Sequence, residues 1–397
     1  MKSDILFMLR LISCVVLEKE VPEASEDINW ENILRISMLH NMANIVAYGI
    51  AKGNYEIPLQ IKSQFNLKLY ERMTVSDNQN AELRKILTAF EEENIEYMPL
   101  KGVLLQSLYP SHDMRSMADM DILIKPEEKE KINNIMTSLG YEFKCESNHE
   151  YVYSKKPYVS VELHKLLIPS YNEDMYKHYG DGWKRAKKCE GRANRYELSL
   201  EDNFIYIFTH FAKHYRDGGI GIKAVLDIFL YLEKYRELDR EYIEKQFSNL
   251  NLSDFYNNIT RVIECWFYGA EFDELSKSVT EFIINSGTFG RIENQTSAEA
   301  IRDYMDKDIK KAEKQRYTKL IFPNIRRMQT GYPILKKVPV LLPFMWVIRI
   351  IKLIIFKRKN IDGYKRRAES VSLSNIDKFN RHIKKVGLDI YNGRKSL

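Results

Sequence analysis

The feature that most constrains this 397-residue chain is a pair of acids at the head of an apolar run, Asp119-Met120-Asp121-Ile122-Leu123-Ile124. A run this short and this apolar reads as a buried strand, and in a strand residues i and i+2 project to the same side. The two carboxylates then stand next to each other, where like charges repel unless a cation lies between them. Oxygen donors of this kind suit magnesium, which completes its shell with substrate phosphates. A third acid, Glu162, sits between Val161 and Leu163 on a second run of strand character. Three convergent acids can hold two metal ions about 3.5–4 Å apart, a clamp for the attacking and leaving oxygens of an in-line nucleotidyl displacement.

Alone, an acid-x-acid pair is a weak signal, because paired acids are commonly solvated or cap helices. Its surroundings give it weight. From Trp30 to about Glu93 apolar residues recur every three or four positions, which predicts helix. The texture then changes. Residues 95–100 read as a strand, 102–108 as the opening of a helix, 120–124 as a strand and 126–139 as a helix with Gly140 after its end. Runs rich in Tyr and Val at 141–144, 151–154 and 158–163 continue the sheet. After Pro169 helical patterns return at 203–215, 223–235, 254–268 and 298–320. The expected fold is α+β, a small mixed-sheet core at 94–168 between a helical region at 1–93, a cleft-completing helical domain at 169–320 and a basic C-terminal region at 321–397. Lys101-Gly102 follows the first strand, where backbone NH groups and a Lys make a phosphate cradle. Arg115, four residues before Asp119, adds a second cation.

This order of elements resembles the nucleotidyltransferase superfamily that includes DNA polymerase beta. More closely, Leu100-Lys-Gly-Val-Leu-Leu-Gln-Ser-Leu-Tyr-Pro110, then Arg115 ahead of Asp119-Met-Asp-Ile-Leu-Ile124, then Val161-Glu-Leu-His164 are similar to the pattern of an uncharacterised bacterial nucleotidyltransferase family. The resemblance covers residues 95–168 well and extends more loosely through His210–His214 and Lys223–Asp227 to the segment after Leu320. It implies that Asp119 and Asp121 bind two Mg2+ ions and that Glu162 completes the catalytic one and helps to deprotonate the acceptor. Lys101, Gly102, Arg115 and His164 would face an NTP. The chain departs from the superfamily turn in having Val103 after Gly102, where the superfamily has Gly or Ser.

His164 shares a face with Glu162 and could contact the nucleotide or serve as a structural histidine. His210 and His214 have the i, i+4 spacing of zinc ligands, but no Glu follows His210 and no third ligand is evident, so a cleft-lining helix face with Lys213 or Lys223 meeting substrate is the better reading. Asp227 is expected to pair within the helical domain. The four cysteines lie far apart and form no CxxC pair, so neither a zinc knuckle nor a disulfide framework is supported. The N-terminus reads as an amphipathic helix with Ile5, Leu6, Leu9, Ile12 and Val16 on one face, and a cytoplasmic protein is expected.

The net charge of +6 averages two unlike parts. From Lys314 to Leu397 there are 21 basic and 4 acidic residues, leaving 40 basic and 51 acidic before them. Inside the basic part lies Val338–Phe356, about as long as a membrane span but interrupted by Pro339, Pro343, Arg349 and Lys352. With Lys336, Lys337, Lys357, Arg358 and Lys359 flanking it, residues 336–359 suit a helix lying on the inner, anionic face of a membrane. The alternatives are a helix packed on the protein itself and a basic surface for RNA. The acceptor is not written in the sequence: a small molecule, a membrane-linked precursor and an RNA end all fit, as does a non-catalytic nucleotide-binding interaction protein. The sequence does not indicate an oligomeric state.

Overall fold

The computed structural model describes residues 3–157, 159–170, 172–303, 334–356 and 373–390, with isolated positions 322, 323, 325, 328, 329 and 332. Within that range four helices come first, α1 (Ser3–Val16), α2 (Trp30–Leu39), α3 (Ala43–Lys52) and α4 (Leu59–Glu92). A five-stranded sheet follows, formed by β1 (Tyr97–Pro99), β2 (Met120–Ile124), β3 (Glu142–Glu146), β4 (Glu150–Lys155) and β5 (Val159–His164). Between its strands lie α5 (Gly102–Leu105), a single turn, and α6 (Lys129–Ser138). The strand order is β1-β2-β5-β4-β3, with β2 and β5 parallel and the other pairs antiparallel. The α+β expectation holds.

A parallel pair needs a crossover, and α6 with the β3–β4 hairpin supplies it. Ile132, Ile135 and Met136 line one face of α6 and are buried against the sheet. On β2 the alternation is strict. Met120, Ile122 and Ile124 join the core beneath α4 and α6, whereas Asp121 and Leu123 turn to the other side, where Leu123 enters a second and larger core.

That larger core belongs to the helices. After α7 (Glu173–Tyr179) and the short pair β6 (Lys187–Lys188) and β7 (Tyr196–Glu197) come α8 (Leu200–Asp217), α9 (Ile222–Lys234), α10 (Arg240–Asn249), α11 (Ser253–Phe267), α12 (Glu274–Ser286) and α13 (Ile292–Asp303). Ser199 caps α8 by accepting from the Asp202 NH, the usual reason a helix starts at Ser. Phe204, Phe208, Phe211, Phe247 and Phe255 fill its centre together with Met8, Leu11, Ile12 and Val15 of α1. The regions before residue 93 and after 169 therefore share one apolar core. Helix α4 ties this core to that of the sheet: Ile61 and Phe65 near its start enter the helical core, and Leu83, Ile86 and Phe90 near its end enter the sheet core. The helix expected at 298–320 lies outside the described residues beyond Asp303.

Candidate active site

Because β2 and β5 run parallel in the register Asp121–Glu162 and Leu123–His164, two acids and a histidine from segments some forty residues apart emerge on one face. Val161 and Leu163 of β5 point into the sheet core, which leaves Glu162 and His164 on the face turned to the helices. Asp121 is 4% exposed and is the centre of the cluster. Its Oδ1 accepts from Lys101 Nζ at 2.7 Å and from His164 Nε2 at 2.7 Å. His164 Nε2 is also 3.6 Å from Glu162 Oε2, and its Nδ1 is 3.9 Å from Glu150 Oε2. One ligand atom from each of Asp121, Glu162 and His164 lies within 4.8 Å of the others.

The electrostatics separate these acids. Burial opposes the charge of Asp121, but Lys101 and His164 outweigh it and hold the carboxyl well below the usual range. Glu162 receives only weak help from Lys101. Burial, then Asp119, Asp121 and Glu150, pushes its carboxyl up to about 8. Asp119, just before β2, is raised by burial and by Asp121. A wall of acids that keeps a proton near neutrality is one that a divalent cation would relieve.

Lys101 is fixed by its backbone as well as by its ion pair. It has φ 44° and ψ −115°, a conformation that costs a side-chain-bearing residue about 1–3 kcal/mol and that clusters at functional sites. The following Gly102 is needed for space: a Cβ there would lie 2.9 Å from Arg115 Nη1 and 3.0 Å from Met117 Cγ. Helix α5 is too short to add a sizeable macrodipole to the Lys101-Gly102 turn.

Arg115 lines the same cavity but is committed elsewhere. Its Nε and Nη2 donate to Asp227 of α9 at 3.1 and 2.8 Å, and Nη1 donates to the Ser116 carbonyl. Tyr109 donates to the same Asp227 at 2.7 Å. The pair fastens the loop before β2 to the helical unit and neutralises the charge that the sequence assigns to phosphates.

The opposite wall is basic. Lys223 of α9 donates to the Ser116 carbonyl at 3.0 Å, and burial lowers its ammonium to about 8. Lys213 of α8 makes no hydrogen bond or ion pair among the described residues, and burial lowers it too. His210 and His214 contact each other, Nε2 to Nε2 at 3.0 Å, and burial disfavours a proton on both, His214 falling to about 4. No metal cluster among the described residues includes them. The two walls enclose a cavity of about 660 Å3, with Phe289, 72% exposed, at its edge. Such a volume is ordinary for a small-molecule or nucleotide site.

Sequence reasoning missed Glu150, whose place opposite His164 in the β4–β5 register is the only clue to its role. Asp227 was expected as a pairing residue, but nothing in the sequence links it to Arg115.

A family model described as an uncharacterised nucleotidyltransferase matches residues 26–268. The chain belongs to that family. The matched span of this nucleotidyltransferase runs from α2 to the end of α11 and so contains the acidic wall and most of the basic one. Membership bears out the resemblance carried by the Leu-Lys-Gly, Asp-Met-Asp and Glu-Leu-His motifs, and it makes the protein a transferase of nucleotidyl groups. No curated protein matches the chain. A solved structure that does, the solution structure of the antibiotic-resistance factor ANT(2'')-Ia, is 15% identical, with 49% of this chain and 100% of that one covered and a TM-score of 0.33.

Proposed function

We propose that this nucleotidyltransferase is active and moves a nucleoside monophosphate from an NTP to an acceptor hydroxyl or phosphate, with release of pyrophosphate. The observation that carries the reading is the parallel register that sets Asp121 beside Glu162, with Asp119 before it, across one cavity from Lys213 and Lys223. The donor set suits two Mg2+ ions, since hard carboxylate oxygens of Asp119, Asp121 and Glu162 lie close enough to raise the carboxyls of Asp119 and Glu162. When bound, the ions would neutralise phosphate charge and favour the ionised acceptor.

The chain's own residues do the rest. Lys213 and Lys223 attract and hold the triphosphate. Lys101 and His164 keep Asp121 ionised and fix its orientation. As the acceptor oxygen attacks the α-phosphorus and the bond to pyrophosphate breaks, Glu162, which a bound cation would hold in its ionised form, takes the acceptor proton. The Arg115–Asp227 pair holds the loop that presents Asp119. The use of NTP and Mg2+ suits a cytoplasmic enzyme.

Incubation of the purified protein with labelled NTPs, Mg2+ and a cell extract tests this. Label should pass to an acceptor with the wild type and not with Asp119→Asn/Asp121→Asn. Equal labelling with both proteins, or NTP bound without turnover, would favour a non-catalytic nucleotide-binding protein. The basic C-terminal part supports RNA as an acceptor, and ribonuclease-sensitive label would identify it.

A further inference from the structure

The helix Leu342–Phe356 stands apart from both cores. Phe344 is 69% exposed, Val347 55%, Ile348 41% and Ile351 48%, and Val340 ahead of them is 83% exposed. Positions 344, 347, 348 and 351 have the i, i+3, i+4, i+7 spacing of one helical face, so the exposed side chains form a continuous apolar stripe. The other side of the helix is fastened. Trp346 donates its Nε1–H to the Pro323 carbonyl at 2.8 Å and meets Phe322 edge-on at 5.3 Å between ring centres. Trp346 thus faces residues 322 and 323, while Ile348 faces outward. A helix held by one side whose apolar side is exposed is, among the described residues, an unpartnered surface.

Charge decides what covers it. From Lys314 to Ile361 there are 12 basic residues and no acidic one. A second copy would bring the same charge to the contact, and like charges oppose association. An RNA backbone would meet the lysines and arginines but has no use for a stripe of Phe, Val and Ile. An anionic lipid surface takes both features, since headgroups attract the basic residues and the acyl boundary buries the apolar face. Arg349 lies within the described helix, where a charge at a bilayer centre would be costly. None of the described helices is long and apolar enough to cross a membrane.

We infer that the helix Leu342–Phe356 is a docking surface for anionic membrane, lying in the interface with Phe344, Val347, Ile348 and Ile351 inserted among the lipids. The inference does not depend on the enzymatic reading.

Sedimentation of the full chain with phosphatidylcholine vesicles, with and without phosphatidylglycerol, tests it. The protein should pellet with the anionic vesicles, and raised salt should release much of it. Val347→Glu/Ile351→Glu should weaken binding by about tenfold or more without lowering the thermal midpoint, because both side chains are exposed. Failure of the wild type to pellet, or equal pelleting on neutral vesicles, would overturn the inference. So would a dimer in analytical ultracentrifugation that the double substitution dissociates, which assigns the face to a second copy. Retardation of RNA without vesicle binding would assign the charge to nucleic acid instead.

Discussion

The two walls of the cavity handle charge in opposite ways. On the sheet side the charged groups answer one another: Lys101 and His164 converge on one oxygen of Asp121, and His164 reaches towards Glu162 and Glu150. On the helical side the cations are left over. Lys213 has no ion pair among the described residues, and Lys223 has a single carbonyl. Half-burying an ammonium with few partners is costly, which fits the proposed role of this wall in holding an anionic substrate. The sheet wall instead gathers acids, with burial and Asp121 raising Asp119 and Glu162 alike.

The sharpest way to break this contrast is Asp121→Asn. If the sheet wall is the reacting centre, nucleotidyl transfer falls by about a thousandfold or more, the scale on which a charge-stabilising group acts, read as label transferred per unit time. Turnover that survives would reduce the wall to a structural network.

Next in size is a change that ought to act on stability. Arg115→Met leaves Asp227 buried with Tyr109 as its remaining side-chain donor, and the expected cost is about 3–5 kcal/mol in urea unfolding. Arg115→Met/Asp227→Leu should recover much of it. If instead Arg115→Met left stability unchanged and weakened NTP binding, the arginine would belong with the ligand cations.

Smaller again are Lys213→Met and Lys223→Met. Each should weaken NTP binding about ten- to a hundredfold, from about 1.5–3 kcal/mol per charge-assisted hydrogen bond. Titration calorimetry would read the affinity. Lys213→Met should leave the thermal midpoint level or higher, because no ion pair is lost.

The mildest effect is that of pH. Burial lowers the Lys223 ammonium to about 8, so its charge is present below that pH and lost above it. NTP affinity should decline severalfold as pH rises past about 8, and Lys223→Arg should hold it level because a guanidinium stays protonated. A pH profile of KM that does not change with Lys223→Arg would remove Lys223 from the binding set.

What was legible in the sequence follows the range of the interactions. That Glu162 and His164 share one face of β5 needs only strand alternation, a local pattern, whereas bringing Asp121 beside them needs the long-range parallel pairing of β2 with β5. The Lys101-Gly102 turn shows as a Gly at a strand end, although the unusual φ falls on the lysine before it. Arg115–Asp227 is a different case, because residues 112 apart meet only through the packing of α9 against the loop before β2, and no spacing encodes that. Lys213 and Lys223 were legible as residues of a cleft-facing helix but not as cations without an ion pair among the described residues, since pairing depends on what the neighbouring elements bring. The double attachment of α4, with its early residues in one core and its late ones in the other, has no signature beyond unusual length.

Helix α1 has a consequence for anyone who would trim this protein. The span shared with the family begins at residue 26, which invites a cut there. Yet Phe7, Met8, Leu9, Leu11, Ile12, Val15 and Val16 are all buried, and Leu11 packs so tightly on α3 that a Cβ on Gly49 would come within 2.6 Å of it. At about 1.5–3 kcal/mol for each side chain exposed, losing them matches the roughly 5–15 kcal/mol that holds a whole domain folded. The border of recognisable ancestry thus runs through the interior of the molecule, and a shortened protein drawn along it would be expected to aggregate before its chemistry could be assayed.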